Sequence, residues 1–545
     1  MRKTITKIGA SLLAAGMLMT GCASGGSDSK ESTASNNETK AARQESKEAS
    51  GQSKETETTA VASQPETESI PDETEEGLWV PADPVPIRNA ADAETIWKDE
   101  MELLSAGTLL FEGEENKGFY PGTDDLGWLY SAAKDDMLGI IYSCDDITHG
   151  GWGVLGLKVG KNQEDISAYA DEPDKQRLIT YSIDDLLDIA GTESAEGLEF
   201  ALGAWNGGHI HGLYYLDGEK ASALKEYIKK TEDDSKIIHT YTGKLSNENA
   251  IPEAVKVYDY LKEVWDNEEG CITGQMESTW KGSADYEMNY IFDNSGKYPA
   301  IRGLDFMHND FTGVTERAKK WWEKGGIVTI CWHTGSDFNS AYNESKSSEL
   351  DWKNALTPGT DAYAKLLKDM DRAVPYLQQL EDAGVPVLWR PFHELDGGWF
   401  WWSRGGSENF VKLWQLMYSR YTDYWGLDNL IWVFGYSHNG VELDAWYPGD
   451  DYVDLIGGDS YDRGANKSLF EDVKEVAADG MPIVFHECGT IPTEKQMEDA
   501  DSHWLFFMVW HTDYITDEKN NTKESINEIY NSDYFITLDE LPAFK

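Results

Sequence analysis

The stretch from Trp389 to Trp402 reads Trp-Arg-Pro-Phe-His-Glu-Leu-Asp-Gly-Gly-Trp-Phe-Trp-Trp and combines an ionisable acid with a run of indole rings. Aromatic rings stack on the C–H faces of pyranose sugars, and an apolar wall raises the pKa of a carboxyl group towards that of a general acid. The alternative is a buried aromatic cluster around one hydrogen-bonded glutamate. A buried glutamate without a function is uncommon, so the stretch favours a site that cleaves sugars.

A second glutamate, Glu487, follows another strand-like run in the sequence Phe-His-Glu-Cys-Gly. Glycoside hydrolysis needs two carboxyl groups, one that protonates the leaving oxygen and one that acts on the anomeric carbon. We assign Glu394 as the acid/base because it lies beside apolar Phe392 and the tryptophans. We assign Glu487 as the nucleophile, kept ionised by Arg390 and nearby histidines.

The elements that must position these residues alternate between strand-like and helical patterns after residue 247. Eight strand-like runs with helical patterns between several of them predict a (β/α)8 TIM barrel over residues 247–545. The runs cover residues 271–275, 300–306, 327–332, 385–391, 430–434, 453–458, 482–485 and 505–510. Functional residues of such barrels lie at the carboxyl ends of the strands, where both glutamates fall.

The motif around Glu394 resembles that of glycoside hydrolase family 26, whose commonest members are β-mannanases, and the resemblance covers about residues 247–540. It implies that Glu394 is the acid/base and Glu487 the nucleophile. It further implies sugar-binding or positioning roles for a set of polar and aromatic residues: His333, Trp352, His393, Trp399, Tyr461 and Trp510. Most enzymes of the larger clan carry Asn where this chain has His393. One departure is His486, at a position where the family often has a small polar residue, which affects the hydrogen bonding expected around the nucleophile.

The region before the barrel has a different composition in each of three parts. Residues 1–21 have basic residues and then an apolar run, as in a signal peptide, and end just before Cys22 in the manner of a bacterial lipoprotein. Residues 22–78 lack aromatic residues and predict a disordered acidic linker. Residues 79–243 contain short β-branched and aromatic runs, including residues 119–130, and predict an all-β sandwich.

This sandwich is a possible carbohydrate-binding module. Its candidate stacking residues are Trp128, Trp152, Trp205 and Tyr214, although core packing is the simpler role for each of them.

Composition excludes some partners. The formal net charge of −51 argues against nucleic acid and suits an exported, solvated protein. The four cysteines after Cys22 match no zinc pattern, and we favour free buried thiols. We expect no metal and no other cofactor.

The sequence therefore predicts an exported enzyme, anchored to the cell surface by a lipid on Cys22, that hydrolyses β-mannan as an endo-acting retaining β-1,4-mannanase. Two alternatives stay open. One is a mixed-linkage β-glucanase or xylanase on the same barrel. The other is a lipid-anchored glycan-binding protein without catalytic activity, which would have no need for two glutamates at strand ends.

Overall fold

The computed structural model describes residues 79–545 except residues 90–92, 114–117, 145–154, 167–174, 206, 269, 340–341 and 438–442. The predicted signal peptide, the lipidated Cys22, the linker of residues 22–78 and Trp152 lie outside the described residues. Within the described ranges, no helix combines the length and the apolar character needed to cross a bilayer.

Two antiparallel sheets and several helices make up the first part of the described chain. One sheet has the order β1-β7-β2-β5 and the other the order β4-β3-β6. The strands are β1 (Thr108–Glu112), β2 (Met137–Cys144), β3 (Leu155–Val159), β4 (Asn162–Ile166), β5 (Arg177–Ser182), β6 (Phe200–Ala204) and β7 (Gly208–Leu216). The helices are α1 (Ala93–Ser105), α2 (Gly127–Tyr130), α3 (Ile183–Ala190) and α4 (Gly218–Asp234).

The two sheets share one apolar core. Leu138 and Ile140 of β2 and Leu155 and Leu157 of β3 alternate along their strands and meet between the sheets. The prediction of an all-β domain is wrong in that α1, α3 and α4 also belong to this region. On α4, Ala221 and Leu224 follow the helical period of the buried face.

The strand predicted over residues 119–130 is also wrong. This segment contains a short 3₁₀ turn, Thr123–Asp125, and helix α2. Pro121-Gly122 and the paired aspartates favour turns over a strand. Trp128, one of the candidate stacking residues, packs in the core against Phe200 and Tyr215. Sugar binding by this domain stays a prediction.

Eight parallel strands then close into a barrel. They lie side by side in chain order, and the eighth pairs with the first. The strands are β8 (Cys271–Met276), β9 (Ile301–Asp305), β10 (Ile327–Cys331), β11 (Val387–Arg390), β12 (Leu430–Ser437), β13 (Leu455–Ser460), β14 (Ile483–Cys488) and β15 (Phe506–Val509), and a short β16 (Phe535–Ile536) adds to β8. All eight predicted strands are confirmed.

Helices surround the barrel and cover its strands, so that nearly every strand residue is buried on both sides. They are α5 (Pro252–Asn267), α6 (Tyr286–Ser295), α7 (Phe311–Glu323), α8 (Tyr342–Ser347), α9 (Trp352–Ala355), α10 (Asp361–Met370), α11 (Val374–Glu381), α12 (Gly406–Tyr418), α13 (Lys467–Val476), α14 (Glu494–Ala500), α15 (Asp513–Thr516) and α16 (Lys523–Tyr530). Helix α7 shows the pattern, because Phe311, Val314, Ala318 and Trp321 bury one face at helical spacing. The side chains of Cys144, Cys271, Cys331 and Cys488 are buried thiols outside any disulfide, as predicted.

Candidate active site

The segment that follows β11 has an unusual backbone. Phe392 and Glu394 both have a φ of 49°, in the left-handed region that non-glycine residues rarely adopt. Such a conformation costs about 1–3 kcal/mol per residue and persists only where the surroundings hold it. The Trp402 indole Nε1 donates a 2.8 Å hydrogen bond to the His393 carbonyl and so holds the backbone between Phe392 and Glu394.

The tryptophans of the motif therefore have different roles. Trp401 and Trp402 are buried, and the Trp401 Nε1 donates to the Thr334 carbonyl at 2.9 Å. Trp399 is half-buried, and its Nε1 donates to Oε2 of Glu394 at 2.6 Å. Its ring lies across Gly397, where an added Cβ would come within 2.4 Å of the indole. Only glycine at position 397 leaves room for this ring.

Glu394 has a raised pKa. Burial is the main cause, the neighbouring Glu487 carboxylate adds to it, and the hydrogen bond from Trp399 opposes it, which together bring the pKa of Glu394 to about 7. The carboxyl group is therefore largely protonated in mildly acidic solution, which suits a group that must donate a proton.

Glu487 has different surroundings, rich in donors. Arg390 Nη1 donates to its Oε1 at 2.9 Å, and the Tyr461 hydroxyl donates to its Oε2 at 2.9 Å. Nε2 of His393 lies 3.7 Å from Oε1. Arg390 also binds Asp459, so one buried guanidinium lies between two carboxylates. A permanent cation and a phenol donor are partners suited to a carboxylate that acts as a nucleophile.

A bulge in β14 places Glu487. Gly458 pairs with Phe485 and Asp459 with Glu487, so His486 is the extra residue between two register pairs. His486 is buried, and its Nε2 lies 3.0 Å from the Thr329 hydroxyl. His486 thus contacts Thr329, and Glu487 takes its hydrogen bonds from Arg390 and Tyr461.

The two glutamates meet at the mouth of the barrel. One carboxylate oxygen from each of Glu394, Asp459 and Glu487 lies within 4.8 Å of the others. Carboxyl groups about 5–5.5 Å apart are typical of glycosidases that retain configuration, whereas inverting enzymes need about 6.5–9.5 Å. The arrangement therefore suits a double displacement. Arg390 donates to both Asp459 and Glu487, so one permanent positive charge lies among these carboxyl groups.

A buried chain of histidines lies beside the glutamates. Nδ1 of His333 is 2.6 Å from Oδ2 of Asp305, and its Nε2 is 3.1 Å from Nε2 of His393. Burial opposes a charge on His333, but the Asp305 carboxylate, together with the charges of Glu487 and Glu394, outweighs burial and raises the pKa of His333. Burial and Arg390 hold the pKa of His393 well below its ordinary value. The two imidazoles are therefore joined through their Nε2 atoms, and Asp305 holds the far side of His333.

The remaining predicted residues lie at different distances from the carboxyl groups. The Trp510 ring is half-buried with its centroid 6.0 Å from that of His333, so it borders the site. Tyr461 is 40% exposed and joins the rim of the site to Glu487. Trp352 packs on Trp401, with ring centroids 6.0 Å apart, and these contacts do not place it beside the carboxyl groups.

Two partners were assigned no role from the sequence. Asp305 orients His333, and Asp459 binds Arg390. Asp305 is the last residue of β9, but the predicted strand ran on to Phe306 and so hid a strand-end acid. Asp459 stands two residues before Tyr461 at the end of β13, where a strand-end carboxylate is itself a signal.

Comparison with known proteins agrees with this geometry. Residues 246–540 match the model of glycosyl hydrolase family 26. The chain belongs to glycosyl hydrolase family 26. A mannan endo-1,4-beta-mannosidase of Thermothelomyces thermophilus is 32% identical over 344 residues, which are 59% of this chain and 68% of that relative. Mannan endo-1,4-beta-mannosidase A of a Piromyces species is 33% identical over 317 residues, and the match spans only 51% of that relative.

Among solved structures of family 26 proteins and their relatives, the β-mannanase from a symbiotic protist of the termite Reticulitermes speratus is similar, with a TM-score of 0.51 and 31% identity. The match covers 56% of this chain and 99% of that one, whose structure was determined with a gluco-manno-oligosaccharide. The family match and the barrel thus coincide in the same residues.

Proposed function

We propose that this protein is an endo-acting, retaining β-1,4-mannanase that hydrolyses mannan, glucomannan or galactomannan. The observation that carries the proposal is the pair Glu394 and Glu487, with oxygens within 4.8 Å of each other and unlike surroundings. Glu394 is hydrogen-bonded to an indole and has a raised pKa, whereas Glu487 contacts an arginine and a phenol. Environments that separate the roles of two carboxyl groups are what this chemistry needs.

In the first step, Glu487 attacks the anomeric carbon while Glu394 gives its proton to the departing glycosidic oxygen. The bond to the leaving chain breaks and an ester to Glu487 forms. Tyr461 and Arg390 hold the attacking carboxylate in place through their hydrogen bonds. A buried, preformed set of donors needs little rearrangement as the charge moves.

In the second step, Glu394 takes a proton from water as the water attacks the anomeric carbon and releases Glu487. The change of role has a physical cause in the site. The negative charge of Glu487 contributes to the raised pKa of Glu394, and esterification removes that charge. The pKa of Glu394 then falls, so the group that donated a proton can accept one.

A mannosyl unit is the sugar favoured beside the glutamate pair, where the glycosidic bond is cleaved. Its 2-hydroxyl, on the carbon next to the anomeric carbon, needs polar partners, and the histidine pair His333 and His393 lies next to the nucleophile. The names of the Thermothelomyces and Piromyces relatives, and the oligosaccharide bound to the termite protist enzyme, support a β-mannan over the two alternatives.

The test is a side-by-side assay of reducing-end release from glucomannan, galactomannan, lichenan and xylan at matched concentrations. We expect release from glucomannan and galactomannan, with a rapid fall in viscosity because cleavage is internal. Release from lichenan or xylan alone would show that the substrate is not a β-mannan. Binding of mannan with no release from any of the four would instead favour the glycan-binding alternative.

We further infer export and attachment to the cell surface through a lipid on Cys22. The support is the sequence: basic residues, an apolar run and Met-Thr-Gly before Cys22. In a bacterial host that processes lipoproteins, the full chain is expected in the membrane fraction and the Cys22→Ser variant outside it. Equal distribution of the two would contradict a lipid anchor.

A further inference from the structure

The loop after the first barrel strand carries a large exposed aromatic residue. Trp280 lies within residues 277–285, between β8 and α6, and half of its surface is exposed. Isolated exposed aliphatic residues need no explanation, but an indole in water at the carboxyl end of a barrel strand lies where substrates bind. The sequence motifs did not draw attention to this residue.

The loop is held at both of its ends. The buried Glu287 accepts hydrogen bonds from the Ser278 backbone at 3.0 Å and from the Ser278 hydroxyl at 2.6 Å. At the other end, Arg302 donates to Asp285 at 2.6 Å and to the Ala284 carbonyl at 2.7 Å. Trp280 therefore stands on a segment that is positioned before any ligand arrives.

The same loop is joined to the loop that follows β15. Glu287, on the first turn of α6, also accepts a 2.8 Å hydrogen bond from the backbone of Thr512, and Lys281 of the loop lies 3.8 Å from Asp513. Between these contacts, the Trp280 ring meets His511 edge to face with centroids 4.7 Å apart. These contacts join the loop that carries Trp280 to the segment that follows β15.

Trp280, His511 and Trp510 form a continuous row of rings, which we call the rim row. The His511 and Trp510 centroids are 4.8 Å apart, and Trp510 leads on to His333 in the catalytic site. Burial lowers the pKa of His511 to about 4, so its imidazole is neutral near pH 7. The rim row is an uncharged aromatic path from His333 to the exposed indole of Trp280.

We propose that Trp280 forms a distal sugar-binding position that extends the cleft and stacks on a β-linked hexose of the substrate chain. The proposal rests on the proposed function. Glu394 protonates the leaving group and follows β11. The residues of the rim row follow β15 and β8, which lie across the barrel mouth from β11. Trp280 therefore binds the part of the chain that stays on the enzyme when the leaving chain departs.

The experiment compares kcat/KM for mannotriose and mannohexaose in the wild type and in Trp280→Ala. We expect about a tenfold loss for mannohexaose, the size of one good aromatic contact, and at most a twofold change for mannotriose, because mannotriose does not reach the distal position. Trp280→Phe is expected to restore most of the loss. Phe292→Ala is the matched control, since Phe292 is 41% exposed and stacks on Tyr298 beside helix α6.

Equal losses for the two oligosaccharides would make Trp280 a structural residue, and no loss for mannohexaose would overturn the distal position. Calorimetric binding of mannohexaose provides a second readout, measured in the Glu487→Ala background so that the ligand is not hydrolysed, and it should weaken about tenfold when Trp280→Ala is added. A wild type that cleaves neither oligosaccharide would contradict the proposed function, while the calorimetric comparison would still decide whether Trp280 binds mannohexaose.

Discussion

Replacing Glu487 with alanine is expected to lower kcat on mannan by at least about 10⁴-fold, because the attacking group of the first step is lost. The fold should persist. Arg390 keeps its ion pair with Asp459 in the variant, so removal of Glu487 does not leave a buried guanidinium without a counter-ion. Binding of mannan to Glu487→Ala should stay measurable by affinity electrophoresis.

The stereochemistry of rescue gives this prediction a sharper readout. Azide can occupy the space left by the carboxylate and attack the anomeric carbon of a substrate with an activated leaving group in one displacement. The product of Glu487→Ala should be the α-glycosyl azide, the inverted configuration. Glu475→Ala, which changes an exposed glutamate on α13, is the control and should behave as wild type. A β-glycosyl azide, or turnover near the wild-type rate, would remove Glu487 from the nucleophile role.

Replacing Glu394 has the second largest expected effect. We expect Glu394→Gln to lower kcat/KM on mannan by about 10²–10⁴-fold, the usual contribution of a general acid/base. The loss of kcat/KM should be much smaller for an aryl mannobioside with a good leaving group, because that leaving group departs without a proton. With Glu394→Ala, azide should give the β-glycosyl azide, since the nucleophile is intact and the second attack comes from the opposite face.

The pH dependence of the wild type follows from the same group. The pKa of Glu394 is raised to about 7, and the first step needs its protonated form, so kcat/KM should fall as the pH rises through about 7. That fall should be absent in Glu394→Gln, measured with the aryl substrate. A profile that keeps the same basic limb in the variant would assign the limb to another residue.

Stability provides an independent check on the raised pKa. A carboxyl group whose pKa is raised on folding stabilises the protein below its unfolded pKa, and that contribution is lost as the pH rises through the folded value. Between about pH 4.5 and 7, the wild type should therefore lose stability relative to Glu394→Gln. Thermal midpoints of both proteins at pH 5 and pH 8 measure this difference, and a constant difference would contradict it.

Parts of the helical prediction failed where a local pattern was interrupted. The sequence has a helical pattern over residues 363–383, but α10 ends at Met370 and α11 begins at Val374, because Pro375 cannot continue the hydrogen bonds of the preceding turn. After α12, residues Ser419–Tyr424 wind more widely, with Arg420 bound to the buried Asp371. Pro375 marks the break in the sequence, whereas the wider turn does not change the apolar spacing enough to be seen there.

The sequence alone determined the barrel, its eight strands and the two glutamates, because buried parallel strands are local apolar runs and barrel chemistry collects at their ends. The tertiary structure alone decided which groups meet there. The Arg390–Glu487 bond joins residues 97 positions apart, and the Thr512–Glu287 bond joins residues 225 apart. Such pairs form only when the barrel closes, so the bulge at His486 and the exposed Trp280 acquire their roles from strand order and register, which no local pattern contains.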